Sequence, residues 1–358
     1  MDHQFTYGMA RVCDLRVATR ASNSRNGKPV VAAMELDGRE MAPSPRFWRS
    51  FFTRFGISDS IFKYFGHHEV FERIAARVPD DAFRYCVEQN PKGRRTLLAV
   101  SSPKRPVTPP EAMIELVERY GADEVTYDQG VLTSTHAPCS GAGSTNIGPD
   151  RFEQRFMLET PLDGFGNPRI YLSMLRLVCS NGMIGYAPTF RSEIRVGKEM
   201  LHSLSRALES YDNGEGYAAL RQRFESAQTS WASINEVNRL YRLLVKLQTR
   251  EKLAPTVLND LHRVTGNLNE LYGLANLDAM SVKRQRVLPA RCKVYDLLNF
   301  TSELATHHAP PAAARTLQAH LGSLISDEYD MEGTAEKVRD FTDFFVQPND
   351  AGPPVSLN

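Results

Sequence analysis

The stretch from Arg169 to Lys198, RIYLSMLRLVCSNGMIGYAPTFRSEIRVGK, narrows the folding options of this chain more than any other. Two apolar runs flank Ser180, Asn181 and Gly182. Asn-Gly readily takes the positive φ angles of a tight hairpin, so the stretch reads as strand, turn, strand with Asn181 and Gly182 as the structural turn. A helix ending on Asn-Gly competes with that reading, because Leu172, Leu175 and Cys179 also fit helical spacing. The hairpin is preferred.

The residues before it carry further strand signals. Thr6 to Val17 and Lys28 to Leu36 alternate weakly about a polar turn, and Thr96 to Val100 is a short apolar run. Val125 to Thr135 reads as a hairpin about Asp128, Gln129 and Gly130, Ala137 to Asp150 as a flexible loop, and Arg151 to Leu158 as a strand. Between them, Ser44 and Pro45 open a helix that Gly56 closes. Its Phe47, Phe51, Phe52 and Phe55 form an aromatic face, which could stack on bases but at helical spacing belongs more readily to a core. His68 to Arg77, Asp81 to Gln89 and Glu111 to Tyr120 are also expected to be helical.

The pattern changes near Gly197. From there to Phe345 it is mainly helical, with Phe224, Ala227, Trp231, Ile234, Asn238, Tyr241, Val245 and Gln248 in a 3–4 repeat from Gly216 to Arg250. Such a seam packs within a bundle or between copies, and Asn238 could set its register. The expected fold class is α+β, with a twisted, mostly antiparallel sheet packed with helices in residues 1–197. A helical bundle in 198–348 and a loose tail in 349–358 follow.

Lys plus Arg (43) nearly equals Asp plus Glu (42), so any nucleic-acid contact must come from local patches rather than net charge. Five widely spaced cysteines, never paired as C-x-x-C, fit neither a disulfide framework nor a structural zinc site. Residues 1–15 show no basic region followed by an apolar core, and no run approaches the roughly 20 apolar residues of a membrane span. A cytoplasmic protein without membrane contact is expected. No phosphate loop, dinucleotide fingerprint or metal-ligand spacing occurs, so no cofactor, metal or catalytic residue is assigned.

Arg151 and Arg155 on one strand, with Arg191, Arg195 and Lys198 after the hairpin, could make a basic sheet surface that tracks a phosphate backbone. Glu153, Glu159 and Glu193 favour the plainer reading of a solvated face with mixed charge. Phe152 and Tyr186 are the candidate base-stacking residues. A second basic run, KRQRVLPARCK from Lys283 to Lys293, contributes Lys283, Arg284 and Arg286 with no acidic residue among them, although such runs are commonly solvated turns.

Three segments resemble a family of phage- and plasmid-encoded proteins, domain of unknown function 932. They are RRTL with Ala99, Val100 and Ser101 (from Arg94), RLVCSNGM with Arg195 to Gly197 downstream (from Arg176), and YDLLN with Thr301 and His307 (from Tyr295). The similarity spans roughly residues 96 to 308, and the family's Ser-Asp-Arg-Tyr element stands here as Ser101, Ser102, Pro103 and Lys104. The resemblance implies a phage or mobile-element origin, a bacterial host cytoplasm and an α+β fold. It implies no established activity, and only a loose likeness to single-strand annealing proteins.

The leading expectation is a DNA-associated protein that binds or anneals single-stranded DNA without catalysis and self-associates. The alternative is a phage structural or host-defence-modulating protein acting on a phage or host protein partner. A nucleic-acid enzyme ranks third: Cys179, flanked by Leu177 and Val178, reads as a small buried hydrophobe rather than a nucleophile.

Overall fold

The structure, a computed structural model, describes residues 3–20, 30–78, 80–141, 143–177, 181–184, 190–195, 199–273 and 277–333. Its first sheet contains β1 (Gln4–Arg11), β2 (Arg16–Arg20), β3 (Val30–Leu36), β4 (Arg39–Pro43), β5 (Ala82–Gln89) and β6 (Arg95–Ser101), in the order β1-β5-β6-β4-β3-β2. Only β4 and β6 pair in parallel, through Ala42 with Thr96 and Pro43 with Leu97. Between these two strands the chain makes α1 (Pro45–Phe55) and α2 (His67–Arg77).

Helix α1 is capped as its sequence requires. Ser44 Oγ accepts from the Phe47 backbone N at 2.9 Å, and Gly56 takes the left-handed conformation at φ 63°. Phe47 and Phe51 are fully buried among Phe71, Phe83 and Leu97, with Phe52 and Phe55 packed alongside, so this aromatic face is core. The helix expected over 81–89 is instead β5. Phe83, Tyr85 and Val87 alternate onto the side that α1 and α2 cover, a period-2 pattern in residue types that favour strands.

The second sheet follows α3 (Pro110–Arg119) and contains β7 (Glu124–Asp128), β8 (Val131–His136), β9 (Ser144–Ile147), β10 (Asp150–Pro161), β11 (Arg169–Arg176), β12 (Asn181–Ile184) and β13 (Arg191–Glu193). Its order is β12-β11-β10-β8-β7, with β9 along the start of β10 and β13 along the start of β11, all antiparallel. The β7–β8 hairpin turns where expected: Gln129 (φ 45°) and Gly130 (φ 88°) form a two-residue loop. The supposed loop after Ala137 contains β9. Strand, turn, strand holds for the organising stretch, but Asn181 pairs with Arg176 and Gly182 with Leu175. Both therefore lie on the β12 ladder, paired with β11, rather than at the turn expected of them.

The remaining elements are α4 (Met200–Ser210), α5 (Gly214–Thr229), β14 (Trp231–Ser233), α6 (Ile234–Glu251), α7 (Val257–Thr265), α8 (Leu268–Tyr272), α9 (Val282–Val287), β15 (Pro289–Lys293), α10 (Val294–Glu303) and α11 (Pro311–Leu324). The fold is α+β. The largest core crosses the boundary expected at 197: Phe152, Leu172 and Met174 of the second sheet pack with Phe224 of α5, Leu240 of α6 and Leu298 of α10. The tail expected over 349–358 lies outside the described residues.

The second sheet has two unlike faces, because side chains alternate along each strand. Phe152, Phe156, Leu158, Ile170 and Leu172 point to one, under α3, α4 and α5. On the other, Glu153, Arg155, Met157 and Glu159 of β10 stand beside Tyr171, Ser173 and Leu175 of β11. Helix α11 reaches this polar face, where Ala319 packs on Met157 and Tyr171. A buried ion pair links the two sheets: Arg46 of α1, 3% exposed, holds fully buried Asp163 and the Phe165 carbonyl. Burial opposes the Arg46 charge, but Asp163, aided by Glu159, offsets it and holds the pKa above its ordinary value.

Candidate nucleic-acid interface

The register of the second sheet puts Arg151, Arg155 and Arg191 on one face, since Arg155 pairs with Ser173 and Tyr171 with Arg191. They do not make a basic strip. Arg155 is only 14% exposed and bonds Asp123 and Glu153, each at 2.9 Å. Glu153 and Glu193 occupy the same face, so its charge is mixed. Arg151 is exposed and donates to Ser144 Oγ at 3.3 Å, while Arg195 is exposed beyond the end of β13.

Phe152 cannot stack on a base in this fold. It is completely buried, with its ring parallel to that of Phe224 at 6.0 Å, because even-numbered β10 residues face the helices. Lys198, Tyr186 and Cys179 lie outside the described residues. Arg286 is also withdrawn: it is 8% exposed, lies 5.2 Å over the Tyr329 ring and bonds the Asp330 carbonyl. Lys283 and Arg284, on the same short helix, are exposed.

That helix leads directly into an element the sequence did not reveal. The repeat from Gly216 to Arg250 is broken at Ser230, where the chain extends for three residues as β14 before restarting as α6. Glu236 accepts from the backbone N of Ser233, the half of a capping box that fixes the new helix start. Burial raises the Glu236 pKa above 4.5, while hydrogen bonds from the Tyr329 hydroxyl and Ser233 pull it down. Trp231 thus leaves the expected helical seam and stands on a two-stranded ribbon with β15, paired with Lys293. Asn238, the presumed register residue, donates to Gln285 of the same chain at 3.4 Å.

The ribbon divides its side chains sharply. Ala232, Ala290 and Cys292 face the core, and burial pushes the Cys292 thiol up to about 12. Trp231 is 58% exposed on the outer side, with Pro289 and Arg291 also exposed. The Lys293 ammonium lies 3.8 Å from the Trp231 ring centre and is held there by a 2.8 Å bond to the Thr229 carbonyl. Val287, 64% exposed, links this surface to Lys283 and Arg284. An indole with cations around it can offer a base a stacking plane and its phosphates counter-charge. The signal for it was Ser233 followed three residues later by Glu236, a helix-start signature inside what looked like one long helix.

Two of the segments singled out in the sequence meet elsewhere. Arg176 of RLVCSNGM donates to Asp150 Oδ1 at 2.7 Å, and Tyr295 of YDLLN donates to Asp150 Oδ2 at 2.8 Å. Asp150 and Tyr295 are buried, so this bridge ties β10, β11 and α10 together.

Among the described residues, no three His, Cys, Asp or Glu side chains gather as a metal site, and no helix is long and apolar enough to cross a membrane. No protein-family model, curated protein or solved structure matches the chain.

Proposed function

We propose that this protein binds single-stranded DNA without catalysis, in the phage or mobile-element setting that its resemblance to domain of unknown function 932 implies, and that the β14–β15 ribbon with α9 is the contact surface. The observation that carries the reading is Trp231, more than half exposed with the Lys293 ammonium 3.8 Å from its ring centre, on a ribbon that also carries exposed Arg291 and directly follows exposed Lys283 and Arg284 of α9. Stacking on an exposed indole requires a base free of its own neighbours, which single strands supply and duplexes do not. The cations act on phosphates and carry no sequence information, so binding is expected to tolerate any sequence.

The chain has two tryptophans, Trp48 and Trp231, so a Trp48→Phe protein reports Trp231 fluorescence alone. Titration with an oligothymidylate is expected to quench that emission, with duplex DNA much weaker. Counterion release contributes about 0.7 to the log–log salt slope per phosphate neutralised on a single strand, so four cations give a slope near −3 in order of magnitude. Binding that is independent of salt, or equal for single strands and duplex, overturns the proposal.

A further inference from the structure

The polar face of the second sheet is not fully covered by α11. Between them lies a cleft of about 260 Å³. Ladder partners Glu124 and Thr135 line it together, as does Thr133, with Asp128 at the end of the same β7 face. Ser173 enters from β11, and Arg315 reaches in from α11.

The lining restricts what can enter. Arg315 is 11% exposed and already bonds Asp128, so the cleft holds one paired cation and the further carboxylate Glu124. A phosphate or carboxylate ligand would meet net negative charge. A wholly apolar ligand would strip water from hydroxyls and carboxylates without replacing their bonds. The Arg315 Nε is buried and has no hydrogen-bond acceptor among the described residues, a donor whose isolation costs stability. Met157 and Leu175 add a small apolar area amid the polar groups. The volume lies below the roughly 300 Å³ at which pockets for drug-sized ligands begin.

We propose that this cleft binds a small uncharged polyhydroxylated molecule, a single sugar ring or cyclitol. Glu124 and Asp128 accept from ligand hydroxyls, Arg315 Nε donates to one, and the Thr133, Thr135 and Ser173 hydroxyls serve either role. The C–H surface of the ring rests against Met157 and Leu175. The site shares no residue with the β14–β15 ribbon, so it stands or falls independently of DNA binding.

Saturation-transfer NMR on the full chain with D-glucose, D-ribose and myo-inositol, and with inorganic phosphate as the anionic control, tests it. Saturable binding of at least one polyol is expected, with none for phosphate. Thr133→Val keeps the strand shape and removes one hydroxyl, and should weaken that polyol by roughly three- to tenfold, the usual value of one neutral hydrogen bond. Ser173→Ala should act similarly, while Trp231→Ala should leave polyol binding unchanged. Failure of all three polyols to bind at millimolar concentration overturns the proposal. So does phosphate binding as well as the best polyol, or affinity unchanged in both hydroxyl variants when thermal melts show them folded.

Discussion

Tyr295 donates its hydroxyl to Asp150 at 2.8 Å, so α10 is tied to the first residue of β10 across 145 positions of sequence. The other carboxylate oxygen holds Arg176, 18% exposed. Removing the carboxylate breaks the ion pair and the phenol's hydrogen bond together, whereas removing the phenol leaves the ion pair intact. Asp150→Ala should therefore cost about 3–5 kcal/mol, and Tyr295→Phe about 1.5–3 kcal/mol, the range for a hydrogen bond to a charged group. Urea denaturation of each variant checks the order. Equal losses would mean that the ion pair adds nothing beyond the phenol's hydrogen bond.

The two basic surfaces can be separated by charge reversal. Lys283→Glu with Arg284→Glu should flatten the salt dependence of DNA binding, because both side chains are exposed and free to meet phosphate. Trp231→Ala should cost about 1–3 kcal/mol of affinity, the usual value of one stacked base. Arg155→Gln should leave affinity near wild type, since Asp123 and Glu153 already occupy its guanidinium. Fluorescence anisotropy at several salt concentrations distinguishes the three. A larger effect from Arg155 than from the α9 pair would return the interface to the sheet.

Glu236 predicts a pH dependence. Burial raises its folded pKa above the ordinary 4.5, so the folded state holds this proton over a range where the unfolded chain has released it. Its contribution to stability is fully present below 4.5 and is lost as pH rises through the folded pKa. Glu236→Gln keeps an acceptor for Tyr329 and removes the charge. The variant should gain on wild type as pH is raised from 4 to 8, read from urea midpoints. A gap that is constant with pH would show that the carboxylate titrates at its ordinary value.

Thiol reactivity should sort by burial. Cys13 and Cys139 are exposed, whereas Cys86 and Cys292 are buried and burial pushes both thiols upward. Iodoacetamide at neutral pH should alkylate the first two within minutes and the second two only after unfolding, as peptide mass mapping would show. Early modification of Cys292 would mean that the β14–β15 ribbon opens readily.

What the sequence disclosed depended on whether a signal was local. Caps at Ser44 and Gly56, the hairpin at Gln129 and Gly130, and the fold class all follow from residues that act on their neighbours. The burial of Phe152 does not. It depends on which face of β10 the helices cover, and a one-residue change of register would have turned it outward. Arg155 was legible as a cation but not as a paired one, because Asp123 comes from another strand's approach. Trp231 was misplaced for a different reason. Phe224, Ala227, Ile234 and Asn238 continue one apparent repeat through a break, and apolar periodicity outweighed the weaker signal of Ser233 and Glu236.

The position of α11 also bears on the order in which the protein is made. Ala319 rests on Met157 and Tyr171, which leave the ribosome roughly ten seconds or more earlier at ordinary rates of synthesis. Throughout that interval the second sheet waits with one side uncovered. Around Met157 and Tyr171 that side carries threonines, carboxylates and arginines, which water solvates well, whereas α3, α4 and α5 begin to cover the phenylalanine side much sooner. The face that waits for α11 is thus the more polar of the two, and the less prone to bind a neighbouring nascent chain.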